Sequence, residues 1–220
     1  INKNIKYSFL RVILKISFFI FIRKTLIIVQ NKFDKKFCQR IGIDENKIFL
    51  IPGYGIQLSN YKKSEQTNKI PRVILHSRML KVKGILDYYY AAKYLKIKKA
   101  KVKLFLYGPL DHNNPNKLTF KDIYNLNIKG YLKYMGNSKS IRFSLNKFDI
   151  GCLPSYREGL PRSVLECMAS KLPIITTKVP GNSETVINQY NGLIIKKNNP
   201  KELALAISKL ASNKALRLRM

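Results

Sequence analysis

Two carboxylates, Glu158 and Glu166, stand eight residues apart in the stretch PSYREGLPRSVLECMA that spans residues 154–169. Such a pair can act as general acid and base, or can grip the hydroxyl groups of a ligand. The spacing puts the two on different elements. The apolar run 149–153 reads as a strand that ends at Pro154-Ser155. Gly159 then frees the backbone to turn, and Pro161 suits the first position of a helix running to about Ser170. Glu158 falls in the loop, and Glu166 lies on the helix about a turn and a half in. A helix start offers N–H groups and the positive end of a dipole, so an anion such as a diphosphate would be well held there.

The surrounding chain must supply the frame. From Arg72 onward, strands are predicted over 73–76, 102–107, 131–135, 149–153, 173–177 and 193–195. Helices are predicted over 84–98, 117–126, 138–147, 184–188 and from Pro200. Strands too apolar to face water, alternating with helices, imply an α/β, doubly wound parallel sheet covered on both faces. In such sheets ligands bind beyond the carboxyl ends of strands, where the loops holding Arg78, Gly108, Gly136 and Glu158 all fall. Upstream, a strand over 25–30, a helix over 33–42 closed by Gly42, and a strand over 47–51 lead to Pro52-Gly53-Tyr54-Gly55. The polar segment 59–69 has no apolar period and is the best linker candidate. The chain thus divides into residues 1–50, a linker region 51–69, and a second domain 70–220.

Residues 1–24 mix apolar and basic side chains. The longest uncharged stretch after Lys15 covers 16–22, far short of the ~20 residues of a membrane span, and no small-residue cleavage site follows. Either a helix packed on a domain or interfacial membrane contact through Phe18, Phe19 and Phe21 fits this opening.

The 42 Lys and Arg outnumber 12 Asp and Glu, a net charge of +30 over 220 residues. That favours an anionic partner: nucleic acid, an anionic membrane surface or phosphorylated small molecules. The lysines are spread along the chain among many Ile and Asn, so coding bias accounts for the charge equally well. Three cysteines, Cys38, Cys152 and Cys167, without a close-spaced pair, and two histidines argue against a disulfide framework or a zinc site and fit a reducing compartment. Cys152 and Cys167 read as small buried hydrophobes, and His76 and His112 as structural or loop histidines. The start at Ile1 and the stop at Met220 after a basic helical run suggest a fragment.

The ordered series IPGYGIQ (51–57), SRMLKVKG (77–84), LFLYGPLDHNNP (104–115), YMG (134–136), DIGCLPSYREGLPRSVLECMA (149–169), PIITTKVPGNSETV (173–186) and NGLII (191–195) resembles glycosyltransferase family 4. Within it, the bacterial enzymes that build capsule, O-antigen or lipid-linked oligosaccharides are most similar. The resemblance implies a GT-B enzyme, two Rossmann-like domains of which this chain holds the C-terminal donor-binding one and the last part of the acceptor domain. It also implies retaining transfer of a hexose or N-acetylhexosamine from a nucleotide sugar, in all expectation a UDP-sugar, to a lipid-linked or polysaccharide acceptor. No metal or other cofactor is expected, and the location implied is the cytoplasm, peripheral on the inner face of the membrane.

Carried over by position, Arg78 and Lys83 match the basic pair on the donor diphosphate, with Lys81 as a neighbouring cation. Two fixed cations there lower the barrier by meeting the charge of the departing nucleoside diphosphate. Glu158 matches the glutamate near the donor sugar and Glu166 the one that accepts from ribose hydroxyls. Gly159 and Leu160 would offer backbone N–H groups. Three positions depart from the family pattern: Gln57 where Asp is usual, Lys171 where glycine is usual, and His76 where a small apolar residue is usual. A basic nucleic-acid-binding protein is the alternative from another class; dispersed aromatics and the lack of any known binding motif speak against it. A fragment that binds donor without catalysis is the other.

Overall fold

The computed structural model describes residue 20 and residues 25–53, 55–66, 68–138 and 141–220. The amphipathic opening expected over 1–24 therefore lies, but for Ile20, outside the described residues. The chain forms two compact units, residues 1–54 and 55–220.

In the first unit, β1 (Ile27–Val29) and β2 (Ile48–Leu50) pair in parallel, with Ile27 opposite Ile48. Helix α1 (Lys32–Arg40) joins them. Asn31 caps it reciprocally: its side chain accepts the Asp34 N–H at 2.8 Å and donates to the Asp34 carboxylate at 2.8 Å. The helix stops where Gly42 takes φ +86°, as expected of a terminal glycine. Val29, Cys38, Ile43 and Ile48 make its small core.

The second unit is built on six strands: β3 (Arg72–His76), β4 (Lys103–Tyr107), β5 (Lys133–Tyr134), β6 (Ile150–Leu153), β7 (Ile174–Thr177) and β8 (Gly192–Ile195). All neighbours pair in parallel, in the order β5-β4-β3-β6-β7-β8. The order reverses between β3 and β6, which makes a topological switch point with a crevice at the carboxyl ends of those two strands.

Side chains alternate strictly between the two faces. Val73, Leu75, Ile150, Cys152 and Ile175 join one apolar layer, whereas Ile74, Leu153 and Ile174 join the other. Helices α2 (Ile85–Ile97), α3 (Phe120–Ile128) and α6 (Pro200–Ser212) cover the first face, and α2 packs on α6. Helix α4 (Arg162–Ala169) and a 3₁₀ run, Ile141–Lys147, cover the second through Val164, Cys167 and Leu145. Tyr88 of α2 is fully buried, and its hydroxyl donates to the carbonyls of Val73 and Phe105, so its polar end is satisfied inside the core. Cys38, Cys152 and Cys167 are free thiols inside apolar surroundings.

Three expectations need correction. The helix expected over 138–147 is the shorter 3₁₀ run Ile141–Lys147, because serine and asparagine are poor formers of a helix interior and the chain must enter β6 at once. The helix expected over 184–188 is α5 (Pro180–Thr185), with Pro180 in its first turn. Val186 is extended, and β-branched Val186 and Ile187 do not prolong the helix. Pro161 precedes α4 as its N-cap instead of opening it: its carbonyl accepts from Val164 and Leu165 N–H. The polar segment 59–69 bonds to the second unit. Ser64 N–H donates to the Ser170 carbonyl and Ser64 Oγ to the Phe148 carbonyl, while Gln66 accepts from buried Arg217.

Lys171 occupies the left-handed turn after α4, with φ +56°. Its N–H reaches the Met168 carbonyl and that of Leu172 the Cys167 carbonyl, the pattern of a Schellman motif that normally employs glycine.

Candidate functional site

The site grows from the loop that follows β6. Pro154 and Ser155 are buried, and the Tyr156 N–H donates to the Val82 carbonyl. Thr177 Oγ1 donates to the Ser155 carbonyl, and the buried Asn182 amide donates to Ser155 Oγ at 3.2 Å and Thr177 Oγ1 at 3.1 Å. Tyr156 also lies beside the buried Asp87 side chain of α2. Burial, and then the Asp87 carboxylate, push the Tyr156 phenol up to about 12, so it remains a donor. Two glycines let neighbouring backbone close on this loop. A Cβ on Gly84 would stand 2.0 Å from the Pro154 carbonyl oxygen, and one on Gly181 would stand 2.3 Å from that of Gly159. The loop is thus wedged between the starts of α2 and α5, which fixes Glu158.

Lys83 ends a 3₁₀ turn, Lys81–Lys83, ahead of α2. Its ammonium donates to both oxygens of Glu158, at 2.8 and 2.9 Å, and the two side chains are only 19% and 7% exposed. Lys81 is exposed, so position separates the two lysines. Arg78, two residues past β3, is 58% exposed and donates to Asp111 at 2.8 Å. Arg78 and Lys83 therefore come from the same strand end but hold different carboxylates. At the ends of β4 and β5, the Gly108 N–H donates to the Gly136 carbonyl at 2.9 Å, and the Gly108 carbonyl accepts from Tyr134. Gly159 and Leu160 are half-buried in the loop beside Glu158.

Glu166 is buried on α4. Its Oε1 accepts from the Tyr61 hydroxyl at 3.1 Å and from Arg162 Nε at 2.9 Å. Its Oε2 faces His76 Nδ1 at 3.6 Å. His76 Nε2 lies 3.1 Å from the Ser163 carbonyl. A carbonyl can only accept, so Nε2 carries the proton and Nδ1 presents a lone pair in the neutral ring. Burial lowers the pKa of this imidazole, with Glu166 opposing. Burial, and then Glu166, raise that of Tyr61.

The two glutamates are thus separate units, each with its own cation, and not one coupled pair. Sequence reasoning missed Tyr61 and Asp111 altogether and read His76 as structural. A signal for His76 was present, since it closes a strand at the ligand edge of the sheet. Tyr61 had none, because its contact with Glu166 joins residues 105 apart. Among the described residues no group of three His, Cys, Asp or Glu could hold a metal ion.

This strand order, with ionic groups gathered where it reverses, defines a doubly wound α/β protein of the Rossmann-like class. Residues 59–220 match the family of glycosyl transferases group 1, and the chain belongs to that family. It is 33% identical over 203 residues to the N,N'-diacetylbacillosaminyl-diphospho-undecaprenol alpha-1,3-N-acetylgalactosaminyltransferase of Campylobacter jejuni, covering 86% of this chain and 52% of that protein. It is 29% identical over 232 residues to the capsular polysaccharide biosynthesis glycosyltransferase CapM of Staphylococcus aureus, covering 98% of this chain and 59% of CapM. The chain therefore spans somewhat more than half the length of these relatives. Among solved structures, a glycosyltransferase from Rickettsia africae superposes with a TM-score of 0.76 at 23% identity, over 94% of this chain and 59% of that one. Anabaena HepE in complex with UDP and glucose gives 0.72 at 19% identity, over 89% and 55%. The structural neighbours are GT-B glycosyltransferases, and the expected fold class holds.

Proposed function

We propose that this chain is the donor-binding part of a retaining, family 4 glycosyltransferase. It transfers a hexose or N-acetylhexosamine from a UDP-sugar to a lipid-linked or polysaccharide acceptor in cell-surface polysaccharide synthesis. The observation that carries the proposal is the Lys83–Glu158 pair, held almost out of water at the crevice where the strand order reverses.

In this reading the diphosphate lies across Arg78, Lys83 and the N–H groups of Gly159 and Leu160. As the sugar leaves, charge grows on the β-phosphate, and cations already fixed beside it stabilise that charge without reorganisation. Lys83 exchanges part of its bond to Glu158 for the phosphate. Glu158 is then freed toward the sugar, where it accepts from hydroxyls and offsets positive charge at the anomeric carbon. Glu166 holds the ribose, and Gly108 and Gly136 border the donor at neighbouring strand ends. No metal is invoked, because the two cations supply the neutralisation. The relatives' names, with their undecaprenol and capsular products, support a lipid-linked or polysaccharide acceptor. The net charge of +30 supports peripheral contact with an anionic inner membrane face. No helix among the described residues is long and apolar enough to cross a membrane.

Calorimetric titration with UDP-, GDP- and ADP-sugars tests the proposal. UDP-sugars should bind, and Glu166→Ala or Arg78→Ala should weaken them at least tenfold. Unchanged affinity in both variants would overturn the site.

A further inference from the structure

We infer that Tyr61 is a positioning residue that makes Glu166 a one-sided acceptor for the donor's ribose. The inference rests on the proposed reading of Glu166 as the ribose carboxylate. It concerns a residue far from the loop motifs, in the segment that precedes β3.

A carboxylate has about four acceptor positions, two on each oxygen. Tyr61 and Arg162 occupy both positions of Oε1. The Tyr61 ring is packed against the apolar layer that includes Val164 and Cys167 of α4, so the hydroxyl cannot follow a wandering carboxylate. On the other side, Oε2 meets His76 Nδ1 at 3.6 Å, outside hydrogen-bond distance. The neutral ring, its one proton committed to the Ser163 carbonyl, offers Oε2 no donor. Among the described residues Oε2 is therefore the oxygen still open to two vicinal hydroxyls, and the carboxylate rotamer is locked with that oxygen outward from Tyr61. A phenylalanine at position 61 would keep the ring contacts but release Oε1, letting the carboxylate turn and share its oxygens.

The test is binding of UDP, 2′-deoxy-UDP and 3′-deoxy-UDP to the 220-residue chain, its Tyr61→Phe variant and its Glu166→Gln variant, with thermal melting as a control for folding. A charge-assisted hydrogen bond lost from the grip corresponds to a change of about tenfold. The unaltered chain should prefer UDP over at least one deoxy analogue by about that factor. Tyr61→Phe should weaken UDP about tenfold and leave that analogue nearly unchanged, so that the preference collapses. Arg162→Gln, which removes the other donor to Oε1, should do the same. A merely structural role would weaken all three ligands alike. If Glu166→Gln abolishes the preference while Tyr61→Phe keeps it, or weakens every ligand equally, the role of Tyr61 is refuted and the ribose reading stands. If the unaltered chain shows no preference, or binds no UDP, both fall together.

Discussion

Removing the Lys83 ammonium should destabilise the second unit sharply, although Lys83 is a surface-type residue. The pair is bidentate at 2.8 and 2.9 Å, with Glu158 7% exposed and Lys83 19% exposed. At 2.8 Å and an effective dielectric of about 20, the gross attraction is about 6 kcal/mol. Much of this offsets the desolvation of two ions, so the intact pair contributes little net stability. Lys83→Ala removes the attraction and leaves the desolvated carboxylate. Breaking a buried pair in this way costs about 3–5 kcal/mol. Because Lys83 keeps some contact with water, roughly 2–4 kcal/mol is expected here. The double variant Lys83→Met, Glu158→Gln removes both charges and should return to within about 1 kcal/mol of the parent. Urea unfolding followed by far-UV circular dichroism measures this, since the chain has 13 tyrosines but no tryptophan as a fluorescent reporter. A single variant within about 0.5 kcal/mol of the parent, or a double variant no better than the single, would refute the reasoning.

Three further outcomes are expected. Gly84→Ala places a Cβ 2.0 Å from a backbone oxygen at φ +71°, whereas Gly136→Ala, at φ +73°, meets nothing within 4 Å. The second should cost only the left-handed backbone penalty of about 1–2 kcal/mol, and the first clearly more; equal losses in thermal melting would argue against the wedge that fixes the loop. Lys171→Gly should stabilise by about 0.5–1 kcal/mol, because relief of the left-handed strain at φ +56° outweighs the added freedom of the unfolded chain; a lower melting temperature would contradict this. Burial holds the His76 pKa below its ordinary 6.5, so the unfolded chain binds the proton first. Stability from this group is full above about 6.5, falls as pH drops below that value, and levels off once the folded pKa is passed. His76→Val should remove that part of the acid sensitivity between pH 7.5 and 5, and parallel stability curves for the two proteins would show that another group is responsible.

What could be read in advance followed the reach of each interaction. A short continuous apolar run is a local signal, so the strands buried on both faces, such as 73–76 and 149–153, and with them the parallel sheet, were legible from residue type alone. The α4 region was legible within one residue, because Gly159, Pro161 and the apolar spacing of Val164 and Cys167 all act within a turn or two. Segments whose form is decided by packing were not. The serines and asparagines of 138–147 weaken a helix pattern that the apolar positions suggest. Val186 and Ile187 end a helix that begins earlier, at Pro180. The site divided along the same line. Its carboxylates and cations lie in short motifs, but their partners do not: Asp111 comes from a loop 33 residues beyond Arg78, and Tyr61 from a segment that looked like linker.

The ion pairs of the site also bear on what the extreme charge means. Acidic residues are scarce, 12 in 220, and lysine is spread along the whole sequence. Yet Asp111, Glu158 and Glu166 each hold one cation near the carboxyl end of the sheet. A site meant only to attract polyanions would leave its cations unopposed, since each nearby acid lowers the local potential. Three cations neutralised in advance instead favour a ligand that can displace or bridge each carboxylate in place, with an anionic group for the cation and hydroxyls for the acid. A nucleotide sugar offers both along its length. A nucleic acid offers phosphates to the cations but, within a duplex, no row of free vicinal hydroxyls to the carboxylates. The sparse acids, more than the abundant bases, therefore carry the case for a sugar nucleotide.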